Sequence, residues 1–326
     1  MTERPTATTI RSVLPKDAIT SIDDPVFDDE YFGEDDDLVI VVESTPPRAY
    51  PIRILHYHEI VNDELPGEGP IVVTWCPLCG SAVVYDRQVG DQTLTFGVSG
   101  KLADDDLVMY DRQTDSEWKQ SSGRCIEGPL DGTELEIRPA PLLPWAEFRR
   151  EYPTGVVLQP TGTDSEVASD DDEPAPIDYD VEPYEQYFAA DGFGLMAHRE
   201  AESDRDWDRT DIGPKTVVLG IESDEEAIGF PLPVVERMGG VVHSTVGTTD
   251  AVVFAVDEEL HAFANPGYRF EPRNGEFTAD GTVWNGQTGT AGDGRELRRL
   301  PARRLFAFTW QDDHGPEAFY LDDTEC

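Results

Sequence analysis

The chain has 326 residues, 38% of them hydrophobic and 10% aromatic, which is enough apolar material for a core in one large domain or two smaller ones. Its 25 Lys and Arg against 67 Asp and Glu leave a net charge of −42; this argues against nucleic acid, since no basic face is there to neutralise phosphates, and suits a cytoplasm at very high salt, where counterions screen self-repulsion. No apolar run is long enough to span a membrane and the opening MTERPTATTIRSVLPKDAIT does not read as a signal peptide, so the expectation is a cytoplasmic protein whose thiols are reduced at rest.

Residues 1–37 read as a lead-in packed on the first unit, turn-rich around DAITSIDDPVF. From DLVIVVE (37–43) the texture changes to short runs of Val, Thr, Tyr and Phe bounded by Gly, Asp or Pro: PIVVTWC, SAVVYDR, TLTFGVS and DLVMYDR. These predict strands. PIRILHYHEIVND (51–63) and PWAEFRREYP (144–153) predict short helices, the second with Pro144 at its start. A first β-rich unit is thus expected over 38–153. Residues 160–183, acidic and Pro-rich, predict a flexible insertion within a linker spanning 154–214.

A second, degenerate β-rich unit is expected over 215–326. KTVVLGIESDEEAIGFPLPVV (215–235) echoes DLVIVVESTPPRAYPIRIL (37–55), and TVWNGQTG (282–289) echoes SEWKQSSG (116–123), with Trp284 on Trp118 and Gly289 on Gly123. RLPARRLFAF (299–308) echoes IRPAPLLPWA (137–146). The fold class expected is therefore mainly β (β-rich α+β), built from two tandem diverged β-rich units with short helices. On that alignment Cys76 falls on Val256, Cys79 on Glu259, His56 on Glu236, His58 on Met238 and Cys125 on Ala291. The second copy lacks every soft ligand, so the Cys/His set reads as added for chemistry.

Two of the four cysteines sit in TWCPLCGSAVVYD (74–86), between strand signals. Three chemistries suit them. A metal knuckle would direct the thiolates of Cys76 and Cys79 at one ion from a turn stiffened by Pro77 and opened by Gly80. The chain has no second Cys-x-x-Cys, so His58 is the expected third ligand, and His56, Cys125 or Met109 the candidates for the fourth. Zinc, iron and copper all fit this set, copper through the soft Met109. Dithiol redox is the second chemistry: one cysteine attacks, the other resolves, and His58 lowers the thiol pKa. Glu59, Met109, Trp118 and Gln120 would line that site, and the partner would be a small-molecule or protein redox partner. The third is a Cys nucleophile activated by His58, as in Cys–His hydrolases. A structural zinc knuckle in a binding or assembly module is the non-catalytic alternative, and small buried hydrophobes are the plain reading of the two cysteines. His198, His243, His261 and His314 lie in polar or second-unit contexts and read as structural; Cys326 reads as a tail.

LPKDAITSIDDPVF, AYPIRILHYHEIVND, TWCPLCGSAVVYDR, LTFGVSG, DLVMYDRQTDSEWKQ and KTVVLGIES resemble, in order and spacing, the domain of unknown function 3179 family, over about residues 13–310 with the acidic insertion set aside. The Cys-Pro-Leu-Cys-Gly-Ser-Ala block is the most specific part. The resemblance implies no established activity. Some members carry selenocysteine at a cysteine position, which implies redox work over static zinc. A Trp-His-Glu stretch in the family, where this chain has Tyr57-His58-Glu59, implies a role for His58 over His56.

Overall fold

The computed structural model describes residues 8–169, 174–199, 201, 205–224, 226–273 and 276–321; Cys326 lies outside them. The described chain is mainly β with short helices, the longest α-helix being the eight residues Ala307–His314. None of these helices is long and apolar enough to cross a membrane. The chain divides into two compact units, with the break between Asp206 and Trp207.

In the first unit the hairpin Leu38–Val42/Arg48–Pro51 lies within a five-stranded sheet. Helix Ile52–His58 follows at once. Pro51, with φ −63°, enters it without a hydrogen bond to lose. Every residue of the helix except Arg53 is buried; Arg53 forks onto Asp37 at 2.7 and 2.8 Å. The helix stops at Glu59, whose φ is 57° and whose N–H donates to the Leu55 carbonyl at 2.8 Å.

Strands Ile60–Leu65, Gly69–Cys76 and Ser81–Asp86 then form an antiparallel meander. Residues 71–76 are buried on both faces, which is why this strand reads as a continuous apolar run without alternation. A second antiparallel set runs Phe96–Ala103, Asp106–Asp111, Glu117–Lys119 and Arg124–Glu127. Its first two strands are joined by Asp104 and Asp105, at φ 54° and 67°. Two left-handed residues make the tight hairpin turn that matches strand twist, and Asp tolerates it. Gly123, at φ 68°, lies so close to Tyr85 that a Cβ would sit 2.6 Å from the ring.

The second unit, taken by itself, runs through a similar order. The hairpin Val217–Ser223/Glu226–Pro231 leads through Pro231 into helix Leu232–Arg237. The meander Val241–Val246, Thr249–Val256, Glu259–Ala264 comes next, then Glu271–Arg273, Glu276–Ala279 and Thr282–Trp284. Strand Arg303–Phe306 leads into helix Ala307–His314, as Leu142–Pro144 leads into Trp145–Glu151 in the first unit. Gly289, at φ 72°, meets Phe263 as closely as Gly123 meets Tyr85, with a Cβ distance of 2.5 Å. The hairpin turns differ. Thr249–Val256 and Glu259–Ala264 close through Asp257 and Glu258 alone, whereas Cys76 and Ser81 are joined by the four residues Pro77 to Gly80. Laid strand on strand, Val256 still matches Cys76, but Glu259 matches Ser81. Cys79 then has no counterpart, a shift from the sequence alignment that follows from the shorter turn.

Candidate functional site

Cys76 is the last residue of its strand and pairs with Ser81, so the four residues between them cap the hairpin as the sequence predicts. Gly80 takes φ 54°, and its N–H donates to the Pro77 carbonyl at 3.3 Å. Cys76, Cys79 and Cys125 are all buried free thiols. The Cys79 thiol donates to the Asp105 carbonyl at 3.3 Å. Next to it, Asp106 opens its strand directly after the two-aspartate turn, fully buried, and one carboxylate oxygen accepts the Ser121 N–H at 3.0 Å. Among the described residues, the two thiols and the Asp106 carboxylate are the set whose ligand atoms all lie within 4.8 Å of one another.

The other residues singled out from the sequence sit around this group in different ways. Gln120 reaches the hairpin: its amide donates to Thr74 Oγ1 at 2.7 Å and to the Ser81 carbonyl at 3.3 Å, while its Oε1 is buried and accepts no hydrogen bond. Met109 and Trp118 are buried and face each other across strands, and the Trp118 indole N–H donates to Asp111 at 3.0 Å. His58 belongs elsewhere. Its Nδ1 lies 2.7 Å from the Thr20 carbonyl and its Nε2 2.7 Å from the Tyr179 hydroxyl. A carbonyl can only accept, so Nδ1 carries the proton and Nε2 accepts from the tyrosine. Burial holds the ring below the usual histidine pKa, hence neutral. His58 ties the lead-in to the acidic insertion, and the place it was expected to take beside the thiols is held by Asp106. His56 pairs with Glu182 and is ringed by Trp75, Tyr184 and Phe188. Cys125 donates to the Glu127 carbonyl at 3.4 Å, and burial raises its pKa. Neither joins the group around Cys76 and Cys79.

A cavity of about 170 Å³ opens beside Cys76. Glu59 lines it from the helix end, Tyr184, His198 and Arg199 from the insertion, and Lys101 from the neighbouring sheet. Glu59 is 7% exposed, and its Oε2 is buried with no hydrogen-bond partner. Desolvation, reinforced by the charge of Glu166, pushes its pKa up to about 8. Lys101 is bound to Glu117 at 2.6 Å, a pairing that raises its pKa. The insertion also clamps the cysteine turn. The Tyr187 hydroxyl donates to the Leu78 carbonyl at 2.6 Å and accepts the Gly194 N–H at 3.1 Å. Asp105 accepts from Leu195 N–H at 3.3 Å and from Arg205 at 3.0 Å.

Asp106, Tyr184 and Tyr187 are the residues sequence reasoning passed over, and His198, read there as structural, lines the cavity. A third aspartate in LADDDLV is hard to single out among 67 acidic residues. A signal did exist: two aspartates between apolar runs form a hairpin turn, so the third starts a strand. The aromatic residues of YEQYF (184–188) likewise mark a stretch that packs against something.

No curated protein and no solved structure matches the chain. The family described as "Protein of unknown function (DUF3179)" matches over residues 16–318. That span holds the cysteine turn, Asp106, the buried Glu59 and the clamping tyrosines, and the chain belongs to the DUF3179 family.

Proposed function

We propose that Cys76, Cys79 and Asp106 form a centre for one divalent metal ion, zinc or iron before copper. The observation that carries this reading is the convergence of three buried ligand atoms within 4.8 Å of one another. Two thiolates and a carboxylate are the donor set that zinc and iron accept, and three protein ligands leave a position open. The cavity beside Cys76 is where that position would find a small molecule. Hydrogen bonds from the Ser121 N–H to Asp106 and from Gln120 to the hairpin supply the outer support such ligands need. The second unit, whose matching hairpin carries Val256 and Glu259, reads as a diverged copy that keeps the scaffold without the ligands.

A dithiol redox centre is the second reading. It is favoured by the same proximity of two free thiols and by the access to Cys76 through the cavity. Oxidation would form one Cys76–Cys79 disulfide and pass two electrons and two protons to a small-molecule or protein disulfide partner. A Cys–His hydrolase has less support, because both ring nitrogens of His58 are engaged by Thr20 and Tyr179.

The test is metal and free-thiol content on protein purified anaerobically in high salt without chelators. The expected result is about one equivalent of zinc or iron, absent from the double variant Cys76→Ser/Cys79→Ser. In Asp106→Ala the affinity should fall by more than the roughly 10–100-fold seen when an outer partner is removed. Metal-free wild type that loses two thiols on mild oxidation and regains them on reduction would replace the metal reading with the dithiol one.

A further inference from the structure

We propose that the cavity beside Cys76 is a binding site for a small neutral organic molecule, with an apolar body about the size of one six-membered ring and a single hydrogen-bonding group turned to Glu59. The inference deepens the proposed centre by naming what would lie against it, and it rests on that reading only for the role of Cys76.

Size comes from the volume. An apolar cavity of about 150 Å³ takes a benzene molecule, and this one holds about 170 Å³. Its walls are chiefly aliphatic: Ile19, Leu78, Val98, Leu102, Leu107 and Leu195. They reward an apolar body by roughly 25 cal/mol for each Å² withdrawn from solvent.

The polar end is set by Glu59. A buried oxygen without a hydrogen bond is uncommon and destabilising, and this one belongs to a side chain that lines the cavity. A ligand hydroxyl or carbonyl would satisfy it. The rest of the polar lining disfavours a charged ligand. Glu166 on one side and Lys101 and Arg199 on the other put charges of both signs on the lining, so it selects neither an anion nor a cation. Lys101 is already held by Glu117. His198 and Arg199, both exposed and both lining the cavity, mark its mouth.

The site can be probed with phenol, benzene and benzoate by calorimetry and ligand-observed NMR on the purified full chain. Phenol should bind with a Kd on the order of 1 mM or tighter, as a compact ligand of this size can, and benzene more weakly. Benzoate should not bind. Glu59→Leu should reduce the preference for phenol over benzene about tenfold, the value of one hydrogen bond. Val98→Phe, which fills the cavity, should abolish binding of both. Glu59→Met, which keeps the length without the hydrogen-bonding carboxyl, and Leu195→Phe, which fills from another lining residue, serve with the same expected outcomes if either variant fails to fold. Absence of phenol binding to wild type, or binding unchanged by the filling variants, would overturn the proposal. Metal content measured on the same samples keeps the two readings apart. Phenol binding to metal-free wild type would sink the metal centre and leave the ligand site standing; one equivalent of metal without phenol binding would do the reverse.

Discussion

At Glu59 the helix Ile52–His58 ends with a backbone φ of 57°, in a region that residues bearing a β-carbon seldom enter, and the same residue buries a carboxyl oxygen without a partner. Local rules broken together at one residue point to a site where stability is given up for chemistry. The titration has a definite sign. The folded pKa, about 8, lies above the ordinary carboxylate value, 4.5. Folded protein therefore holds the proton more tightly, and this contribution is full below pH 4.5 and lost as pH rises towards 8. Glu59→Gln removes that dependence. Relative to wild type it should gain stability with rising pH, by about 3 kcal/mol at pH 7. Denaturant melts of both proteins between pH 5 and 8 check this, and a difference that stays flat with pH would contradict it. Residue by residue, the site was only partly legible. Cys76 and Cys79 stood out because Pro and Gly punctuate a turn between strand signals. Asp106 did not, because its meaning comes from a hairpin that brings it across to the thiols. His58 looked like a ligand because sequence cannot show that both of its nitrogens are taken by Thr20 and Tyr179.

Between strands and helices, the insertion is where polarity concealed packing. Residues 174–199 are rich in acids, yet Tyr179, Tyr184 and Tyr187 are buried. Three large rings spaced along a polar stretch suffice to dock it, because each aromatic side chain buries about 150–250 Å². Of the three only Tyr187 lies within a helix, Glu185–Ala189, with Tyr184 at its N-cap; a helix of five residues depends on tertiary contacts. Tyr187→Phe deletes the hydrogen bond to the Leu78 carbonyl and the acceptor for Gly194 N–H. The expected outcome is a loss of about 1 kcal/mol, read as faster amide exchange over 185–198, with metal content unchanged. Exchange no faster than wild type would show that this hydroxyl does not hold the insertion down. By contrast, the strands PIVVTWC, SAVVYDR, TLTFGVS and DLVMYDR were plain in the sequence, whereas the helix read over 51–63 ends at His58 and gives way to the strand Ile60–Leu65. Alternation fails in PIVVTWC because both faces of that strand are buried, but length and β-branched composition still identify it.

Across the whole molecule the net charge of −42 sets the conditions under which either compact unit holds together. Screening lengths shrink from about 10 Å at 0.1 M salt to about 3 Å at 1 M, so repulsion among surface carboxylates weakens steeply over that range. The thermal midpoint should rise when KCl is raised from roughly 0.1 M to 1 M. A midpoint independent of salt would mean that these carboxylates do not oppose folding. Trp118 and Trp284, with Gly123 and Gly289, are what suggested two related units in the sequence, and both glycines lie against a ring. The difference in turn length was not readable there, because a gapped alignment places Cys79 on Glu259 with equal ease. The clamp between Tyr187 and Leu78 joins residues 109 apart in the chain, and that separation has a meaning in time. At about 5–20 residues per second, the cysteine turn leaves the ribosome roughly 5–20 s before its cover does. During that interval the turn that carries Cys76 and Cys79 lacks the cover that Tyr187 later supplies, so the order of synthesis leaves this hairpin uncovered on that side until the insertion docks.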